Sequence, residues 1–199
     1  MLKKLLSLPG LNAEVKRFIE KNQEVWDIVI YGSVSRGKEE ARDIDFAILL
    51  ASQLDMGKKL QLAQVFKEKI EEILASIQVD VKVVDLYDFQ DPNFLARQGI
   101  LAEGFSLSKG EYLSRLFGFN GYAFIKYSLK GLTYSQKKML YYALKGRRGT
   151  KGVLIDLGGE LVSREWLKVP VQFLYKIEQL LALHRVSYST ELALSYWKR

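Results

Sequence analysis

The sequence contains no cysteine, a single histidine and no long apolar run. Without thiols, disulfides, zinc–thiolate centres and cysteine nucleophiles are excluded, and a reducing, cytoplasmic setting fits. One histidine makes no metal site; His184 closes an amphipathic stretch and reads as a partly exposed packing residue. No segment approaches the roughly 18–20 apolar residues that cross a bilayer, so no membrane association is expected. The basic and then apolar start, Met1 to Leu6, is interrupted by Pro9, Gly10 and Asn12, too early for a secretory signal.

What remains is a chain of 199 residues, 48% hydrophobic and 27% charged, able to bury one ordinary core or two small ones. Its net charge of +7 is unevenly spread. Met1 to Ser108 holds 14 Lys/Arg against 17 Asp/Glu, whereas Lys109 to Arg199 holds 16 against 6 and nine of the 11 tyrosines. The asymmetry predicts two domains, 1–108 and 109–199, the second a basic, tyrosine-rich accessory domain facing a polyanion.

The first half alternates helix and strand periodicities. A helix is expected around Leu11, Val15, Phe18 and Ile19, capped by Asn12, then strands over 25–31 and 44–50. A helix over 55–75 would turn Leu60, Ala63, Phe66, Ile70, Ile73 and Leu74 inward, followed by a strand over 77–84. Asp91-Pro92 reads as a helix start that Gly104 ends. In the second half a strand is expected over 122–129. Thr133 to Gln136 has capping-box spacing for a helix stopping at Gly146. Gly158-Gly159 between 153–157 and 160–163 reads as a hairpin, and 171–184 as a helix; 186–199 is ambiguous between strand and helix.

Chemistry concentrates in Tyr31-Gly32-Ser33-Val34-Ser35-Arg36-Gly37 and the Asp43-Ile44-Asp45 that follows. A glycine after a strand lets backbone N–H groups approach a ligand closely, and successive N–H groups form an anion nest. The Ser33 hydroxyl adds a donor; Arg36 either contacts the same anion or pairs with a nearby acid. Asp43 and Asp45, two apart on a strand, point to one face, and such neighbours repel unless a cation lies between them. Asp80 interrupts a run of core valines and becomes the third acid if its strand adjoins the pair. Lys82 shares its face and either balances the carboxylates or touches phosphate, while Asp85 reads as a strand-end residue.

Gly32-Ser33-x-x-Arg36-Gly37, Asp43-x-Asp45 and Asp80 together resemble the minimal nucleotidyltransferases of the DNA polymerase β superfamily, over about Val25 to Leu107. The resemblance implies an α/β (α+β) fold, a mixed sheet flanked by helices; the second half, outside the resemblance, reads from its own composition and turn signals as a small basic α/β domain with a hairpin. It implies two Mg²⁺ ions held by Asp43, Asp45 and Asp80, which are also the catalytic residues. Nucleotide would bind at Gly32, Ser33, Arg36 and Gly37. The implied reaction moves a nucleoside monophosphate from an NTP, with ATP as the foremost candidate, to an acceptor hydroxyl on RNA, protein or a small molecule. These proteins often pair with a small helical chain, so an antitoxin-like or regulatory binding protein is the rival reading.

The glycine-flanked basic segment Lys145, Arg147, Arg148 and Lys151 is either a solvated face or a contact for RNA or DNA phosphates. Nearby Tyr134, Tyr141 and Tyr142 divide between base stacking and core.

Overall fold

A computed structural model of the chain describes residues 1–75 and 77–196. They divide into two compact units, the first from Met1 to Gly118 and the second beginning at Phe119. The charge-based boundary at 108/109 falls inside the first unit, in the turn joining two of its strands.

The first unit runs α1 (Leu2–Leu6), α2 (Pro9–Lys21), β1 (Val25–Tyr31), β2 (Asp43–Leu50), α3 (Met56–Leu74), β3 (Gln78–Val84), α4 (Leu86–Gln90), α5 (Ala96–Glu103), β4 (Phe105–Ser106), β5 (Glu111–Tyr112) and α6 (Leu113–Leu116). Its mixed sheet has the order β3-β2-β1-β4-β5. Among the described residues only β2 and β3 pair in parallel, because α3 carries the chain back across the sheet between them.

Strand alternation separates the two faces. Ile28, Ile30, Ile44, Phe46 and Ile48 pack under α2 and α3, where Phe66 meets Phe18 and Phe46 edge-on at centroid distances of 5.0 and 5.6 Å. The opposite face carries Val29, Tyr31, Ala47, Leu49 and Val84 beneath Ile100 of α5. That second face is covered only in part, and its open end holds the acidic residues.

Several local expectations are corrected. Leu8 and Pro9, not Asn12, open α2; Asn12 lies within the helix and its side-chain amide donates to the Leu6 carbonyl at 2.8 Å. Asp91 ends α4 rather than starting a helix, since its carboxylate closes a local turn by accepting from the Asn93 N–H at 2.8 Å. An Asp85–Asp88 capping box opens α4. Leu60 is 64% exposed while Leu62 is buried, because Lys59 takes the inward position in the first turn of α3.

Lys59 is nearly buried and its ammonium lies 2.7 Å from Asp85 and 2.6 Å from Asp88. Burial pushes the Asp85 carboxyl up, but the Lys59 hydrogen bond and charge and the Asp88 and Tyr87 N–H groups outweigh it and hold it below the usual range. Burial likewise lowers Lys59, and its two carboxylate partners more than reverse that. The stabilisation from Asp85 is therefore present above its unfolded pKa of about 3.9 and disappears as pH falls through the lower folded value. The stabilisation from Lys59 is present below about 10.4 and disappears as pH rises through its raised folded value. Lys59→Met, which strands two acids, is expected to cost about 3–5 kcal/mol in urea unfolding.

The second unit runs β6 (Phe119–Tyr127), α7 (Tyr134–Lys145), β7 (Gly146–Arg147), β8 (Thr150–Lys151), α8 (Val153–Asp156), β9 (Glu160–Ser163), β10 (Trp166–Pro170), a 3₁₀ turn (Val171–Phe173), α9 (Leu174–Leu183) and β11 (Tyr188–Tyr196). Its antiparallel sheet, β11-β6-β10-β9, lays Ala123, Ile125, Leu167 and Val169 against Leu140 and Leu144 of α7 and Ile177 and Leu181 of α9. The ambiguous C-terminal stretch is a strand as far as Tyr196; residues 197–199 lie outside the described residues. Gly158-Gly159 makes no hairpin: Val153–Asp156 is a helical turn with Leu154 buried, and β9 pairs with β10 instead. The two-residue hairpin is at Arg148-Gly149, with φ of 50° and 84°, the left-handed pair such a turn requires.

Candidate active site

β1 ends at Tyr31 and Gly32 turns the chain with a φ of +75°. The following residues wind into one helical turn: Arg36 N–H donates to Gly32 O at 3.2 Å, Gly37 N–H to Val34 O at 3.1 Å and Lys38 N–H to Ser33 O at 3.0 Å. Val34 anchors the turn in the core, and the buried Ser35 hydroxyl donates to Ile30 O at 2.8 Å. Tyr112 fastens it from outside, its hydroxyl donating to Ser35 O at 3.2 Å. Among the described residues, the N–H groups of Ser33, Val34 and Ser35 meet no protein acceptor. Three consecutive unengaged N–H groups at the start of a helical turn favour an anion.

Asp45 pairs in register with Tyr31 on one side and Asp80 on the other, and Asp43 lies opposite Gln78. Asp43, Asp45 and Asp80 therefore share one sheet face with Tyr31. The Asp45 carboxylate lies against Gly32, where a Cβ would run into its Oδ2. Burial raises the Asp45 carboxyl first, and the charges of Asp43 and Asp80 raise it further, with Lys82 and Arg36 partly opposing. Burial, then Asp45, Asp80 and Glu103, push the Tyr31 phenol up, so it stays neutral.

The acids are neighbours without being drawn together. Asp80 leans on Lys82 at 3.4 Å, and among the described residues no group of three His, Cys, Asp or Glu side chains is gathered closely enough to hold an ion. The donors are nonetheless all hard carboxylate oxygens, and their mutual repulsion is what a divalent cation relieves. The donor chemistry fits Mg²⁺.

The basic residues belong to the second unit. Lys145 ends α7, Arg147 and Lys151 sit on β7 and β8, and Arg148 occupies the turn between them. Cross-strand pairing of Gly146 with Lys151 and of Arg147 with Thr150 makes the glycine-flanked segment a tight hairpin.

The family Polymerase beta, Nucleotidyltransferase matches residues 13–109. Those residues, just under half of the chain, are similar to a nucleotidyltransferase domain of the polymerase β superfamily. No curated protein matches the chain. Among solved structures, a toxin–antitoxin MntA-HepT complex is 22% identical over 48% of this chain and 68% of that one, with a TM-score of 0.32. A tri-AMPylated Shewanella oneidensis HEPN toxin in complex with MNT antitoxin is 24% identical over 48% and 67%, with a TM-score of 0.33. A toxin–antitoxin structure with AMP-PNP is 28% identical over 48% and 71%, with a TM-score of 0.35.

The turn after β1 rests on a buried acid that sequence reasoning missed. Glu103, almost fully buried at the end of α5, accepts from the Gly32 N–H at 3.0 Å and lies 3.6 Å from the Arg36 guanidinium. Arg36 thus makes the ion pair left open above. A lone acid after Ile100-Leu101-Ala102 was the available signal. Glu103→Ala leaves a buried N–H and a guanidinium without this partner and is expected to cost about 1–3 kcal/mol in urea unfolding. Glu103→Gln, which keeps an acceptor for Gly32, is expected to cost less.

Proposed function

We propose that the domain transfers a nucleoside monophosphate from an NTP, ATP first among the candidates, to an acceptor hydroxyl with Mg²⁺. The observation that carries this reading is the Asp45 carboxylate lodged against Gly32, flanked by Asp80 and Asp43, at the foot of a turn with three unengaged N–H groups. Ser33, Val34 and Ser35 receive the β and γ phosphates through their N–H groups, and the Ser33 hydroxyl adds a donor. Gly37 closes the turn, and Arg36, oriented by Glu103, adds positive charge beside it. Asp43 and Asp45 would hold both metal ions and Asp80 the one serving the acceptor. Held there, Mg²⁺ would neutralise phosphate charge and lower the pKa of the attacking hydroxyl. The acceptor oxygen bonds the α-phosphorus, the bond to the β-phosphate oxygen breaks, pyrophosphate leaves, and Asp80 helps take up the hydroxyl proton.

RNA or protein hydroxyls are the acceptors in this reading, and Lys145, Arg147, Arg148 and Lys151 give RNA phosphates a basic edge. Leu86, Tyr87 and Leu95, exposed on the first unit, favour a second reading in which the domain regulates or neutralises a small helical partner chain. Incubation with each α-labelled NTP, Mg²⁺ and total cellular RNA and protein separates the two. Label entering one pool, and lost on chelation, supports transfer; intact NTP and no labelled acceptor supports the binding reading.

A further inference from the structure

Helix α7 builds a second feature that the transfer chemistry does not use. Its inward positions, Leu140 and Leu144, are spent on the core of the second unit. Helical spacing then brings Tyr134, Lys138, Tyr141, Tyr142 and Lys145 along its outer surface. Of these, Tyr134, Lys138, Tyr141 and Tyr142 line, together with Lys137 and Arg164, a groove of about 540 Å³, within the size range of small-ligand sites. Among the described residues no carboxylate lines it.

Rings and cations alternate there. Lys138 Nζ lies 5.9 Å from the ring centroids of both Tyr134 and Tyr142, Lys145 Nζ 5.9 Å from Tyr141, and Arg147 Cζ 5.2 Å from Tyr142. Tyr134 is 80% exposed and Tyr141 49%, so these rings add little to the core that would explain them. Arg147 makes the β7–β8 hairpin continuous with the groove.

We propose that this groove binds single-stranded nucleic acid, with bases stacked on Tyr134, Tyr141 and Tyr142 and phosphates met by Lys137, Lys138 and Arg164. The ligand must be anionic, because cations line the groove without acids. It must also present flat π-faces, because the exposed rings offer stacking surface that an acidic peptide would leave unused. A duplex hides its base faces within its own stack, whereas a single strand presents them. From Tyr134 to Tyr142 the helix advances about 12 Å, longer than one base, so successive bases take successive rings. Lys138, now shared between two tyrosine faces, turns outward to the backbone when a base arrives. This inference goes beyond the transfer reading and depends on none of it, since binding needs neither NTP nor Mg²⁺.

The test is fluorescence anisotropy of a labelled 12-nucleotide oligo(U) RNA and of a duplex RNA of equal length, titrated with the full chain at several salt concentrations without NTP. The single strand is expected to bind more tightly than the duplex. Tyr134→Ala and Tyr142→Ala are each expected to weaken it about 5- to 100-fold without changing the salt slope, and Tyr→Phe at either position restores binding. The double substitution Lys137→Ala/Lys138→Ala is expected to flatten the slope by about 0.7 for each lost phosphate contact. Tyr134 lies outside the core, and circular dichroism verifies that each variant keeps its fold. The proposal is overturned by absence of binding at low salt, by equal duplex binding, or by alanine variants of the tyrosines that bind like the parent. Displacement of the RNA by equimolar polyglutamate would overturn it as well, pointing to an acidic protein ligand.

Discussion

Asp45→Asn is expected to eliminate nucleotidyl transfer while raising the melting temperature measured without Mg²⁺. The substitution keeps the shape that fits against Gly32 and removes only the charge. In the folded protein burial, then Asp43 and Asp80, raise the Asp45 carboxyl above its ordinary value. An acid raised in this way favours folding only while protonated; that contribution is present below its unfolded pKa of about 3.9 and is lost as pH rises through the folded value. At neutral pH the ionised Asp45 is therefore a net burden that asparagine lifts, and the gain shrinks as the parent is acidified. Transfer moves the other way. If the carboxylate holds the cation, its loss removes several kcal/mol of transition-state stabilisation, a fall of more than about 10²-fold in rate. A variant that melts lower and still transfers would show that Asp45 is a structural acid. Asp43→Ala is expected to give the same loss of transfer.

The second large effect is expected at Gly32. Its φ of +75° lies in the left-handed region, which costs other residues roughly 1–2 kcal/mol. A methyl group there also meets the Asp45 carboxylate, whose position the proposed chemistry needs. Gly32→Ala is therefore expected to lose both stability and at least about 10²-fold in transfer. Gly118→Ala isolates the conformational part. Gly118 has a φ of +79° with open space around its Cβ position, so the substitution is expected to cost about 1 kcal/mol and leave transfer intact. Urea unfolding and initial transfer rates on the two variants separate strain from collision. Equal loss of transfer in both would contradict the assigned role of Gly32.

Local signals in the sequence carried most of the scaffold. The β-branched runs of β1, β2 and β3 and the Thr133–Gln136 capping box lie where periodicity and cap chemistry put them. Two-residue alternation was enough to place Asp43 and Asp45 on one face. That Asp80 stands directly beside Asp45 needed the parallel register of β2 and β3, which depends on the α3 crossover rather than on any local pattern.

The misses at turns share a cause: residue types that serve two local structures equally well. Asp91-Pro92 suits a helix start or an Asx turn; the turn forms, and α5 begins only at Ala96 and ends at Gly104 as expected. Gly158-Gly159 suits a hairpin, yet a Cβ at Gly159 would strike the Leu154 side chain and the Lys168 carbonyl, so close packing explains that glycine. Arg148 is the reverse case, a non-glycine residue held at positive φ because Gly149 and the β7–β8 pairing complete the turn. Lys59 and Glu103 were illegible for another reason. Each is a charged residue buried by partners distant in sequence, Asp85 and Asp88 for one, Gly32 and Arg36 for the other.

The most direct test of the transfer reading follows the two ends of the nucleotide separately. Parent protein and Asp45→Asn are incubated with Mg²⁺, cellular RNA and protein, and ATP labelled either at the α- or at the γ-phosphate. Nucleotidyl transfer places the α-label on a macromolecule and sends the γ-label into pyrophosphate, with neither product formed by the variant. The γ-label appearing on an acceptor, or α-label transferred equally well by Asp45→Asn, would contradict the account.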